Sequence, residues 1–225
     1  MRMRCSSSKE KELPSRVFIS IGVACNVKYQ IDKHIGNKET LFFDWLMTDM
    51  NSVISVLNCD NIHNILHPKN IVVDPFEPSV NNHHSRIVIK PLSFCVYIHD
   101  IGVNVTNKCI LDFIEKYKRR FDRIINYIKT YNNGKGKLYF LRYGTITDYE
   151  RQLFIQTILK INPQCNFYLM SIPPPTLSPP AHPIRRHPYF VEINTEEQQN
   201  TEGDDVWTTP NVNWKKIFNY SVTHL

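Results

Sequence analysis

The stretch VFISIGVACNVKYQI (17–31) changes its pattern half-way along. Its first part, VFISIG (17–22), is a short and mostly apolar run of the kind that forms a buried strand. A helix is predicted from about Asn26 to Ile35, and Gly36 is suited to end it because glycine readily adopts the left-handed conformation of a helix C-cap. The stretch therefore predicts a strand that leads directly into a helix, which is the repeating unit of α/β folds.

The same alternation of strands and helices continues along the chain. Short apolar runs bounded by turn residues predict strands, and apolar residues at three- and four-residue spacing predict helices. The predicted strands that follow are residues 71–73, 86–90, 94–99, 137–143 and 166–172. The predicted helices are residues 48–57, 107–130 and 147–159. We therefore expect an α/β fold, in which one layered domain holds a central, mostly parallel sheet flanked by helices.

Composition divides the chain into four parts. Residues 1–15 are polar and are expected to form a disordered tail, and residues 16–172 are expected to form the single α/β domain with the candidate site. Residues 173–206 are first rich in proline and then acidic, and we expect a surface segment there because proline lacks the N–H donor that regular structure needs. Residues 207–225 contain two tryptophans and are predicted to form a helix that docks on the domain.

The overall composition argues against several kinds of partner. The net charge of +6 at pH 7 is mildly basic, but no nucleic-acid-binding motif is present, so nucleic acid is not expected as a partner. No apolar stretch approaches the roughly 18 residues that a membrane span needs, so we expect no membrane association. The six cysteines are scattered without a C-x-x-C pair, which is typical of free thiols in a reducing, cytoplasmic setting. The oligomeric state is left open.

Cys25 lies where the first predicted strand gives way to the first predicted helix. Ligands of α/β folds bind at this edge of the sheet, and the N–H groups of a helix start stabilise an anion there. We therefore expect the pKa of the Cys25 thiol to be lowered, into the range of roughly 3.5–7.5. Gly22 would let the backbone pass close by, and N–H groups near Asn26 could receive an oxyanion. The alternative is that Cys25 is an ordinary buried thiol.

Five stretches taken together resemble one known family. They are ISIGVACNVKYQI (19–31), FFDWL (42–46), the His99–Asp100 pair, KYKRRFDRIINYI (116–128) and LYFLR (138–142). The chain resembles the putative papain-like cysteine peptidases, a domain family of unknown function, over roughly residues 17–172. The resemblance implies Cys25 as the nucleophile and His99 as the base, in the chain order of papain-like enzymes. It also implies a papain-like α+β fold as the alternative to the layered α/β domain.

The remaining candidate residues would orient the base or bind the substrate. A cysteine nucleophile needs an imidazole within hydrogen-bond reach and a third group that orients the ring. Asp100 adjoins His99, and Asp44 is a carboxylate among large apolar neighbours that would be costly to bury without a partner. Either acid could be the orienting group, and a local capping role for Asp44 is equally open. Arg142 ends a predicted strand and could bind a substrate carboxylate or phosphate, or pair with a structural acid.

A metal site is the main alternative chemistry. Cys59, His63 and His67 would share one face of a helix at four-residue spacing. Several asparagines and Pro68 interrupt such a helix, so we expect neither a metal nor another cofactor.

Two functions from different classes follow from these observations. The first is a thiol-dependent hydrolase or acyltransferase, similar to a cysteine peptidase, that acts on an amide or ester; a protein or peptide is then the substrate class. The second is a non-catalytic interaction protein on the same fold, in which Cys25 is structural. Such a protein would bind its partner through the proline-rich segment or through a basic face.

Overall fold

The computed structural model describes residues 14–23, 25–36, 38–74, 85–97, 100–102, 104–174, 184–195 and 212–225. His99, Trp207, nearly all of the predicted N-terminal tail and most of the proline-rich and acidic segment lie outside the described residues.

Nine strands and five α-helices make up the regular structure of the described residues. The strands are β1 (Arg16–Ser20), β2 (Leu46–Thr48), β3 (Ile71–Asp74), β4 (Arg86–Ile89), β5 (Cys95–Tyr97), β6 (Lys137–Tyr143), β7 (Phe167–Ile172), β8 (Ile184–His187) and β9 (Phe190–Ile193). The helices are α1 (Asn26–Ile35), α2 (Met50–Asn58), α3 (Asn107–Thr130), α4 (Asp148–Ile161) and α5 (Trp214–His224).

A five-stranded sheet forms the centre of the domain. Its strand order is β1-β6-β7-β9-β8. The first four strands run parallel, and β8 pairs with β9 in the antiparallel sense. The prediction of an α/β fold with a mostly parallel sheet is therefore confirmed, and the α+β alternative is not the architecture observed.

Helices cover both faces of this sheet because the side chains of each strand alternate between two cores. Along β6, Leu138 and Phe140 enter the larger core, whereas Tyr139 and Leu141 enter the smaller one. The smaller core is closed by α1 and α5, and the larger core by α2, α3 and α4. Each large apolar side chain buried in this way contributes roughly 1.5–3 kcal/mol.

A second sheet of four strands packs into the larger core. Its order is β2-β5-β4-β3, and all of its pairings are antiparallel. The sequence patterns predicted β3, β4 and β5 as strands, but they did not predict that these strands form a separate sheet. This second sheet matters for the site because β2 follows the FFDW stretch and β5 leads towards His99.

The helix predictions are confirmed where local signals are strong. Gly36 ends α1 with a left-handed φ of 75°. Asp49 caps α2 by accepting a hydrogen bond from the N–H of Ser52. Thr147 and Glu150 form the predicted capping box at the start of α4.

Three strands, β2, β8 and β9, were not predicted. The sequence analysis gave residues 173–206 as a surface segment, yet β8 is the antiparallel edge strand of the central sheet. Its residues fit there because Pro188 follows the strand and does not interrupt it. Tyr189, with a left-handed φ of 61°, makes the turn into β9.

Candidate active site

The loop between β1 and α1 is held in an uncommon conformation. Gly22 has a φ of 84°, and Val23, a β-branched residue, has a φ of 79°. A Cβ added to Gly22 would lie only 2.1 Å from Cγ2 of Thr48 in β2. Gly22 is therefore required for close approach of the loop to the second sheet. A left-handed conformation at a residue such as Val23 costs about 1–3 kcal/mol. It persists only where the surrounding structure enforces it.

Cys25 follows this loop at the N-cap position of α1 and is 5% exposed. Burial, with a smaller contribution from the charge of Asp100, raises the pKa of the Cys25 thiol to about 11. The expectation of a lowered pKa is wrong for this environment, because desolvation of the charged form outweighs the hydrogen bond from the backbone. Thiolate at Cys25 therefore needs a nearby group that accepts the proton.

The helix start offers fewer free N–H donors than the sequence suggests. Asn26 is buried, and its side-chain oxygen accepts a hydrogen bond of 2.8 Å from the N–H of Val27. The side chain of Cys25 makes no capping hydrogen bond, and the first turn of α1 contains no acidic residue. Asn26 thus occupies one of the donors that an oxyanion would otherwise use.

Asp100 is tied to α3. Its Oδ1 accepts a hydrogen bond from Nζ of Lys116, and its Oδ2 accepts one from the hydroxyl of Tyr117 and lies 3.9 Å from Nη1 of Arg120. Its charge adds a smaller contribution to the raised pKa of Cys25, of which burial is the main cause. His99, the predicted base, lies outside the described residues.

Asp44 is 2% exposed, and its carboxylate contacts both its own loop and α1. It accepts a 2.7 Å hydrogen bond from the N–H of Leu41, and Nζ of Lys28 lies 3.6 Å away. Burial raises the pKa of Asp44 to about 7, while the charge of Lys28 opposes the shift. The described contacts therefore join Asp44 to the helix that begins next to Cys25.

Lys28 is the functional-site neighbour that the sequence analysis missed. Its side chain is buried and also contacts Asp32 at 2.8 Å and the carbonyl of Glu39 at 2.7 Å. A carboxylate amid the aromatic residues of FFDWL was the available signal, because a buried acid calls for a cationic partner. The sequence alone did not show that the cationic partner of Asp44 is Lys28, one helical turn after Cys25.

Arg142 is 7% exposed at the carboxyl end of β6. Its Nη1 donates to the carbonyl of Ile21 at 3.0 Å, and its Nη2 donates to the carbonyl of Thr48 at 3.2 Å. Nε has no hydrogen-bond partner among the described residues. Burial lowers the pKa of Arg142, and the charges of Glu150 and Asp49 oppose this shift.

The predicted obstacles to a metal site at residues 59–67 are present. Cys59 lies just beyond the end of α2, and His63 lies in a separate short 3₁₀ turn. The ring of His67 accepts a hydrogen bond from the N–H of Lys69. Within the part of the chain that the structure describes, no group of three His, Cys, Asp or Glu side chains is placed to hold a metal ion.

Comparison with known families decides the relationship of the chain. A family model described as "Putative papain-like cysteine peptidase (DUF1796)" matches residues 16–171. The chain belongs to this family. The matched region of the papain-like family contains Cys25, Asp44, His99, Asp100 and Arg142. No curated protein and no solved structure matches the chain. Among the described residues, none of the helices is both long and apolar enough to cross a bilayer.

Proposed function

We propose that this member of the papain-like family is a thiol-dependent hydrolase or acyltransferase in which Cys25 attacks an amide or ester carbonyl. The observation that supports this most is the placement of Cys25, directly after a loop with two successive left-handed residues at the carboxyl edge of a parallel sheet. Enforced backbone strain and sheet edges of this kind are where catalytic groups collect.

The raised pKa of Cys25 determines how such an attack would begin. With a pKa of about 11, only about one thiol in 10⁴ is ionised at pH 7. In the proposed step, His99 therefore removes the proton as Sγ bonds to the carbonyl carbon, and the imidazolium then returns this proton to the leaving group. Water, deprotonated by His99, hydrolyses the resulting thioester; in an acyltransferase a second nucleophile takes the place of water.

The two carboxylates would have different roles in this scheme. Asp100 is the acid whose charge reaches Cys25, so we assign it the stabilisation of the protonated His99 ring. The same charge opposes a free thiolate, which fits a base-assisted attack better than a preformed ion pair. Asp44 would act indirectly, by holding α1 through Lys28.

Selective alkylation tests the proposal. The test uses a Cys109→Ser background, because hydrogen bonds from Thr106 lower the pKa of the accessible Cys109 thiol and would give rapid labelling for an unrelated reason. Cys165 is the internal control, since it is as buried as Cys25 and burial raises its pKa to about 12. Iodoacetamide labelling at pH 7, followed by mass spectrometry, measures both rates in one sample.

The thiol pKa values of Cys25 and Cys165 alone predict about a tenfold difference in rate, so we expect Cys25 to react at least about 100-fold faster than Cys165 in the native protein. We expect His99→Gln to slow Cys25 on the order of 100-fold without changing Cys165. Equal rates at Cys25 and Cys165, or a Cys25 rate that His99→Gln leaves unchanged, would exclude the catalytic role.

The second function, a non-catalytic interaction protein, is favoured by one specific observation. Cys25 is almost fully buried and its thiol has a pKa of about 11, as expected for a structural cysteine. On this alternative Cys25 labels only as the protein unfolds, and Cys25→Ser leaves the function of the protein intact. The proline-rich segment that would bind a partner lies mostly outside the described residues.

A further inference from the structure

Arg142 connects the two sheets at the candidate site. We infer that Arg142 is a positioning residue that fixes the loop carrying Cys25 relative to the sheet that leads to His99; this inference rests on the proposed function. The sequence analysis gave Arg142 as a ligand of a substrate carboxylate or phosphate, or as the partner of a structural acid; the positioning role is distinct from both.

The two hydrogen bonds of Arg142 join two separate segments, the loop before Cys25 and the end of β2. Nη1 bonds to Ile21, whose carbonyl opens the strained loop before Cys25. Nη2 bonds to Thr48 at the end of β2. A single planar group thus spans the gap between the central sheet and the second sheet.

The β2 side of this connection leads to the proposed base. β2 pairs with β5 through the partners Leu46–Tyr97 and Thr48–Cys95. β5 ends at Tyr97, two residues before His99 in the chain. A shift of β2 relative to the cysteine loop would therefore change the separation of nucleophile and base, and errors of about 1 Å in such separations can cost on the order of 100-fold in rate.

The chemistry of the side chain supports positioning over substrate binding. Nη1 and Nη2 each donate one N–H to a backbone carbonyl, so two of the five N–H donors of the guanidinium hold its plane against the main chain. The side chain is only 7% exposed, which leaves little of it open to a substrate. No acidic side chain among the described residues forms an ion pair with Arg142, so the group is not retained as half of a buried salt bridge. The planar guanidinium holds two donors in a fixed geometry, which lysine lacks.

The test measures the pH profile of Cys25 alkylation by iodoacetamide between about pH 5 and 9, in the Cys109→Ser background. Arg142→Met removes both donors, Arg142→Lys keeps the charge with one donor group, and Arg119→Met on the exposed face of α3 is the matched control. Thermal unfolding of each variant is recorded in parallel.

We expect Arg142→Met to lower the neutral-pH rate at Cys25 roughly 10- to 100-fold and to move the profile towards higher pH. Arg142→Lys should lie between Arg142→Met and the unsubstituted protein, and Arg119→Met should match the unsubstituted protein. A role in stability alone would lower the unfolding temperature without moving the pH profile.

The outcomes separate the two proposals. If Cys25 is selectively modified and depends on His99, but a folded Arg142→Met or Arg142→Lys keeps the original profile, the positioning role is refuted and the proposed function stands. If Cys25 is never selectively modified, the proposed function fails and the positioning role fails with it. Should Arg142→Met not fold, Arg142→Lys is the deciding variant, because it retains the charge and most of the aliphatic stem.

Discussion

Replacing Gly22 by alanine tests whether the loop before Cys25 is as tightly enforced as its geometry indicates. The new Cβ would lie 2.1 Å from Cγ2 of Thr48, roughly 1.5 Å closer than ordinary carbon–carbon contact. Overpacking of this kind costs about 1–3 kcal/mol. A left-handed φ of 84° adds about 1–2 kcal/mol for a residue with a Cβ. We therefore expect Gly22→Ala to lower the free energy of unfolding by about 2–5 kcal/mol.

Two further variants separate the clash from the backbone strain. Gly36→Ala is the matched control, because Gly36 has a similar φ of 75° but no heavy atom within 4 Å of an added Cβ. It should cost only the backbone part, about 1–2 kcal/mol. Thr48→Ser removes the clashing methyl and keeps the hydroxyl that donates to the carbonyl of Phe94 at 2.9 Å. In the Gly22→Ala background it should therefore recover about 1–2 kcal/mol.

The assay is equilibrium unfolding in urea, followed by circular dichroism for the unsubstituted protein, the three single variants and the double variant. A Gly22→Ala protein no less stable than Gly36→Ala would refute the steric reasoning. So would a double variant in which Thr48→Ser restores nothing.

Three further predictions concern the charged and capping groups. Because burial raises the pKa of Asp44 to about 7, the native state keeps a proton that the unfolded state releases near pH 4. The free energy of unfolding should therefore fall as pH rises from about 4 to 7. Asp44→Asn should flatten this part of the stability–pH profile, and an unchanged slope would contradict the raised pKa. Lys28→Met leaves that carboxylate buried without its cation and should cost about 3–5 kcal/mol in urea unfolding, with much of the loss recovered by adding Asp44→Asn. Thr106→Ala removes the hydrogen bonds that lower the pKa of Cys109, so alkylation of Cys109 at pH 7 should slow; the same rate in both proteins would assign the reactivity to exposure alone.

Local signals account for the elements that the sequence predicted well. The bounds of α3 and β6 match their predictions, because an apolar stripe of period 3.6 and a short apolar run between turn residues are properties of the chain itself. The same is true of the cap at Gly36 and of the capping box at Thr147, since both depend on contacts within a few residues.

The features that escaped prediction depend on contacts between distant segments. The pKa of Cys25 follows from how completely the folded chain excludes water from it, which no local pattern encodes. Lys28 pairs with Asp44 only because the fold brings α1 next to the FFDWL stretch. The pairing of β8 with β9 brings a strand into the sheet from a proline-rich stretch, where local propensity argues for a surface segment.

The parallel pairing of β1 with β6 has a consequence for synthesis of the protein. Ile21 donates its N–H to the carbonyl of Leu141, and Arg142 bonds back to Ile21 across 121 positions of the chain. Contacts of such long range form late, because closing a long loop costs entropy before any contact compensates for it. The segment around Cys25 can take its final shape only after Leu141 and Arg142 have left the ribosome. A half-made chain therefore carries this thiol without its surroundings, and any reactivity would arise only once translation is well advanced.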